Sequence, residues 1–259
     1  MKIIDKLWNW GHLAGSHNKI TGFDCRMSPT EFAREYGIKN SFMVSYGGNI
    51  QPPFDTVAED MRELSSVVWS VLGDGSTPLP EDELGFTEDI LKLCGRFPNL
   101  TGGVVDDFFS PARMERFTPE VLKKIKKSLN DKGLDFWCVL YNMQLDMDLS
   151  EYMECFDGIT FWIWQCENIP NADEYFEKLK SIAKDRRLML GVYLMDYCEL
   201  FKQMDSALFE MQLEKYFSLL ERGEIEGIVF CSNTVGDAPI ETNRIMKKYI
   251  EKYGDREIR

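Results

Sequence analysis

A chain of 259 residues, 44% hydrophobic and 28% charged, can bury one substantial core and has the length of a single (β/α)8 barrel. Its formal net charge of −13 disfavours nucleic acid and anionic membranes as partners, because gripping a phosphate backbone needs a basic face. Seven scattered cysteines without a C-x-x-C pair argue against a disulfide framework or a zinc site, and no apolar stretch has secretory or membrane-spanning character, so the expected location is cytoplasmic.

Along the chain, apolar runs rich in β-branched and aromatic residues alternate with amphipathic, capped segments. The first strand is expected at 3–10, followed by the loop G-H-L-A-G-S-H-N, which holds both histidines, His12 and His17. Ser28-Pro29-Thr30-Glu31 then opens a helix with a cap, a proline at the first helical position and a glutamate at the third. Strands at 41–46, 66–72 and 101–107 are separated by helices at 54–64 and 87–96. Thr118-Pro119-Glu120 starts a helix to about Asn130, and its basic run K-K-I-K-K reads as a solvated face. Strands at 135–141, 158–164, 188–195 and 226–232 follow, with helices at 148–156, 171–185, 205–223 and 240–253. Most strands are apolar throughout, as a parallel sheet buried on both faces requires. The order predicts an α/β protein, a single (β/α)8 TIM barrel spanning residues 1–259, with an open doubly wound sheet as the runner-up.

In such a barrel the chemistry sits where the strands end. That places Trp10, His12 and His17 after the first strand, Tyr46 after the second and Asp74 after the third. Asp106 and Asp107 end the fourth, Tyr141 and Asn142 the fifth, and Trp164, Gln165 and Glu167 follow the sixth. Asp196 and Tyr197 end the seventh strand, and Asn233 follows the eighth. Strand alternation sends only one of Asp106 and Asp107 inward unless the strand bulges.

No strand end carries a lysine for Schiff-base chemistry, no set of histidines on separate strands matches a metal-dependent hydrolase, and no G-x-G-x-x-G follows a strand. No cofactor and no metal are therefore expected. Carboxylates and aromatics remain. Cleaving a glycosidic bond needs one carboxyl group to give a proton and another to act as nucleophile or base, and flat rings suit sugar faces.

The runs W-G-H-L-A-G-S-H-N, M-V-S-Y-G-G, F-P-N-L-T-G-G-V-V-D-D-F-F, I-T-F-W-I-W and L-G-V-Y-L-M-D-Y resemble an uncharacterised bacterial family of TIM-barrel, glycoside-hydrolase-like proteins from carbohydrate-using bacteria. More broadly, Asp106-Asp107 and Asp196 stand at positions similar to those of retaining glycosidases with an acid/base after strand four and a nucleophile after strand seven. Those enzymes carry glutamates there, with an asparagine before the first; this chain has aspartates. The resemblance implies a glycoside hydrolase or related sugar-active enzyme taking a small carbohydrate or glycoside. One of Asp106 and Asp107 would be the acid and Asp196 the nucleophile or base. His12, His17, Tyr46, Asn142, Gln165, Glu167 and Asn233 would contact the substrate, and Trp10 and Trp164 would stack against it. The alternatives are a metal-assisted sugar isomerase, epimerase or lyase, with His12 or His17, Asp106/Asp107 and Glu167 as ligands, and a non-catalytic carbohydrate-binding barrel.

Overall fold

A computed structural model describes residues 1–258. Eight parallel strands close in chain order: β1 (Leu7–Gly11), β2 (Asn40–Met43), β3 (Ser66–Ser70), β4 (Leu100–Val105), β5 (Asp135–Tyr141), β6 (Gly158–Trp162), β7 (Arg187–Tyr193) and β8 (Gly227–Cys231). The ring shuts where Leu7, Trp8 and Asn9 of β1 pair with Ile228, Val229 and Phe230 of β8. This is the expected TIM barrel, and the open sheet is excluded.

Helices α1 (Asn18–Thr21), α2 (Pro29–Tyr36), α3 (Asp55–Asp60), α4 (Thr87–Cys94) and α5 (Pro111–Arg116) lie in the first half of the chain. They are followed by α6 (Pro119–Asn130), α7 (Ser150–Met153), α8 (Ala172–Ala183), α9 (Ser206–Glu221) and α10 (Glu241–Tyr253). Among the described residues none is long and apolar enough to cross a membrane. The cap read at Ser28 forms in full: Ser28 Oγ accepts from the Glu31 N–H at 3.2 Å, and Glu31 accepts from the Ser28 N–H at 2.8 Å.

The differences from expectation are at the ends of elements. Residues 3–6 form a short 3-10 turn rather than strand, with Asp5 accepting from the Lys2 N–H. Most strands stop short of the expected bounds, yet the apolar residues just past them, such as Val44, Val71 and Leu194, stay fully buried and each still donates its backbone N–H to the neighbouring strand. Helix α5 was not anticipated, although Ser110-Pro111 repeats the signal that marked α2.

The barrel interior is filled by aromatic rings. Trp10 packs against Phe42 at 4.8 Å and Trp162 at 5.3 Å, and Trp8 against Phe42 at 5.3 Å. Large rings need small neighbours. A Cβ on Gly191 would lie 2.0 Å from Cδ2 of Trp162, and one on Gly158 would lie 2.2 Å from the Trp137 ring. Gly191→Ala is therefore expected to destabilise the fold by about 1–3 kcal/mol through overpacking. Urea denaturation reads this directly, and an unchanged midpoint would contradict the packing.

Candidate functional site

At the carboxyl ends of the strands lies a cavity of about 390 Å³. Its rim begins where β1 runs out. His12 donates its backbone N–H to Asn233 Oδ1 at 2.9 Å, and its ring Nδ1 lies 3.1 Å from the Val44 carbonyl. His17 sits at the start of α1 with Nδ1 2.9 Å from Ser16 Oγ. The two imidazole centroids are 4.5 Å apart, and Tyr46 closes the stack 4.3 Å from His17. Both rings are held neutral. Burial pushes His12 well below the usual histidine range, reinforced by His17, and burial takes His17 down to about 4 against the opposing pull of Asp74.

The floor is acidic. β4 ends at Val105, so Asp106 and Asp107 lie just past the ladder, and Asp107 adopts a left-handed φ of 46°. Strand alternation no longer applies at that bend, and both aspartates line the cavity. Asp106 Oδ1 accepts from the Asp107 N–H at 2.8 Å. Asp107 accepts at one oxygen from the Gly75 N–H at 2.8 Å and at the other from the Tyr141 hydroxyl at 2.6 Å. Burial drives the Asp106 carboxyl well above its ordinary value of 3.8, with Asp107 and Asp74 adding to the effect and Arg113 opposing it. Arg113 lies buried beneath, its guanidinium bonded to the backbone carbonyls of Asp106 at 2.7 Å, Gly73 at 3.2 Å and Asp74. Asp74 ties the second and third rim loops together by accepting from Gly47 N–H, Thr77 Oγ1 and Ser76 Oγ.

On the opposite side Asp196 is engaged at both oxygens. Its side chain is wholly buried, Oδ2 is paired with Lys202 at 2.9 Å and accepts from the Cys166 thiol at 3.0 Å, and Oδ1 accepts from the Cys198 N–H at 3.1 Å. Burial alone would raise its pKa, but these bonds outweigh it and hold the carboxyl below its ordinary value. The expected nucleophile is thus ion-paired within the seventh rim loop, because Lys202, six residues along, folds back onto it.

The cavity also gathers Trp10, Tyr46 and Trp164. Trp164 is steadied edge-on by Tyr141 and Tyr193, each at 5.6 Å. Four expected contacts lie outside it. Asn233 is fully buried and spends its amide on the carbonyls of His12 and Met27, so it joins rim loops instead of meeting a ligand. Asn142 accepts from the Trp164 N–H at 2.9 Å, and Gln165 accepts from Asn168. Glu167 lies near Cys166 and Asp196, whose ligand atoms fall within 4.8 Å of one another, but not with the histidines. The Lys202 ammonium already supplies the positive charge there.

Asp74, Tyr141, Tyr193 and Tyr197 line the cavity without having been given a role from sequence. Each stands at or just after the end of β3, β5 or β7, so its position was the available signal.

No sequence model of a known protein family matches the chain, and no curated protein matches it by sequence. Solved structures do. The Bacillus megaterium spore cortex-lytic enzyme SleL matches with a TM-score of 0.61 at 12% identity, covering 100% of this chain and 76% of that one. An active-site mutant of the Rhizomucor miehei β-1,3-glucanosyltransferase, solved with laminaritriose, matches with a TM-score of 0.58 at 7% identity over 86% of each chain. The tryptophan synthase complex from Pyrococcus furiosus matches with a TM-score of 0.56 at 14% identity over 98% of this chain and 99% of that one. The likeness is one of fold.

The neutral histidines carry a pH signature of their own. On acidification the unfolded chain protonates both rings near the ordinary value of 6.5, whereas folded His17 resists until about 4. Their contribution to stability is therefore present above 6.5 and lost as pH falls through that window, by up to ~1.4 kcal/mol per pH unit for each ring. Urea denaturation of His17→Asn across the window should show a shallower acid loss than wild type. Equal slopes would mean that His17 is not held neutral by burial.

Proposed function

We propose that this chain is a carbohydrate-active enzyme that cleaves or transfers a small glycoside by carboxyl acid/base chemistry at Asp106 and Asp107. One observation carries the reading: two neighbouring carboxyl groups occupy different environments on the floor of an aromatic-lined cavity. Asp106 uses Oδ1 to accept from the backbone, its other oxygen has no protein partner among the described residues, and burial raises the group's affinity for a proton. Asp107 is held at both oxygens by Gly75 and Tyr141. Environments that separate the behaviour of paired carboxyl groups assign acid and base roles.

In this reading Asp106 gives its proton to the leaving oxygen as the carbon–oxygen bond breaks. Asp107 faces the positive charge that develops on the sugar ring and takes the proton of the incoming water or hydroxyl. Asp196 positions the seventh loop. Trp10, Tyr46 and Trp164 offer the faces on which a sugar stacks.

The test is a panel of aryl glycosides and small disaccharides incubated with wild type, Asp106→Asn and Asp107→Asn. Release from at least one wild-type substrate, lost in both variants, is expected. No release from any member, or full activity in both variants, overturns the assignment. Tyr141→Phe should retain the fold and lower kcat by about tenfold, since only one of the two bonds that orient Asp107 is removed. An unchanged kcat would show that the hydroxyl does not position it.

A further inference from the structure

The polar lining of the cavity is lopsided. Among the described residues five carboxyl groups reach it, those of Asp74, Asp106, Asp107, Asp196 and Glu199, and no lysine or arginine does. The two nearby cations are already engaged. Arg113 lies under the floor on backbone carbonyls, and Lys202 is paired with Asp196 at 2.9 Å and Glu199 at 3.2 Å. Even with Asp106 uncharged, four acidic side chains stand against two basic ones, a formal excess of two negative charges.

Hydrogen-bonding capacity leans the same way. A carbonyl oxygen only accepts, so the 3.1 Å contact with Val44 fixes the proton of His12 on Nδ1 and leaves Nε2 as an acceptor. His12 is 4% exposed and lines the cavity, and its Nε2 has no protein partner among the described residues. Three donors in the lining are spent inside the protein: Ser76 Oγ on Asp74 at 2.7 Å, the Tyr141 hydroxyl on Asp107 at 2.6 Å and Trp162 Nε1 on Thr160 at 3.1 Å, while the Tyr197 hydroxyl is buried without a partner among the described residues. The remaining walls include the rings of Trp10, Tyr46, Trp164 and Tyr193, whose faces attract cations, beside aliphatic residues such as Ile20 and Leu200.

We infer that the cavity selects a ligand carrying a protonated amine on a polyhydroxy ring, an amino sugar, over neutral and anionic sugars. An ammonium group brings positive charge and three donors to a lining whose carboxyl groups outnumber its cations and whose His12 Nε2 accepts. Uronates and sugar phosphates would meet like charge with no cation to receive them. The inference rests on the sugar-active reading and narrows it to a substrate class.

Binding to the intact protein tests it independently of turnover. Glucosamine, galactosamine and mannosamine are titrated at mildly acidic pH by calorimetry, each beside its parent hexose, its N-acetyl derivative and the matching hexuronate. At least one amine should bind about tenfold more tightly than its parent. N-acetylation should abolish that advantage, and added salt should weaken the amine alone. Glu199→Gln, at the exposed rim, should cost the amine about twofold to fivefold more than it costs the parent hexose. Parents that bind as well as amines, a preferred hexuronate, or no binding by any probe would overturn the inference. Turnover of neutral glycosides without amine preference would sink this inference and spare the proposed chemistry, whereas amine binding without any turnover would do the reverse.

Discussion

Asp107→Asn should lower kcat for glycoside cleavage by about 10²–10⁴ while the barrel stays folded. Asparagine matches aspartate in shape but cannot take up a proton, and it offers one acceptor oxygen where the carboxylate offers two. The Tyr141 hydroxyl can keep its bond, whereas the Gly75 N–H would face an amide donor if the oxygen turned toward Tyr141. That mismatch is worth about 1–3 kcal/mol at most in a partly exposed position, which a melting curve registers separately from turnover. KM should change less than kcat, since the charge on Asp107 matters most when positive charge develops on the sugar. The pH profile adds a second readout. A general acid works only while it holds its proton, so activity should fall on the alkaline side as pH rises through the raised value of Asp106. The linkage has the same sign for stability: the contribution of Asp106 is fully present below 3.8 and is lost as pH rises through its folded-state value. An Asp107→Asn variant with wild-type kcat would remove the proposed base.

Arg113→Met should destabilise the protein by about 3–5 kcal/mol, the largest stability loss expected of a single change near the site. The guanidinium is 3% exposed and satisfies three carbonyls where β3 and β4 give way to their loops. Methionine fills a similar volume but leaves those carbonyls buried without donors, each at a cost of about 1–3 kcal/mol before relaxation. The positive charge also offsets Asp74, Asp106 and Asp107, so its removal should push Asp106 still higher and extend activity to more alkaline pH. Arg113→Lys would keep the charge but not the planar fork, and should recover the pH profile better than the stability. A chemical denaturation midpoint unchanged in Arg113→Met would show that the carbonyls find other partners.

The fold was legible because its signals are local. Apolar runs buried on both faces, a proline inside a helix start and a capping glutamate are each set within a few residues, and eight repeats of strand and helix leave little choice but closure. The positions of Trp10, His12, His17, Tyr46, Asp106, Asp107, Trp164 and Asp196 on the cavity followed from counting strand ends in that barrel. Helix α5 carried the same kind of local signal and went unread.

What each of those side chains is free to do was not legible, because it depends on partners brought from elsewhere. Asn9 and Asn233 meet across 224 positions, which turns Asn233 into a brace. Gly75, from the loop after β3, and Tyr141, the last residue of β5, decide how Asp107 is held. Lys202 folds back to neutralise Asp196, while among the described residues no ion pair forms at the carboxyl of Asp106. Sequence by itself determined which residues arrive at the mouth, since strand periodicity and order are properties of short segments. Only the tertiary structure decided which carboxyl is pushed toward its protonated form and which is paired, since desolvation and charge neighbourhood exist only once distant loops have closed over the same space.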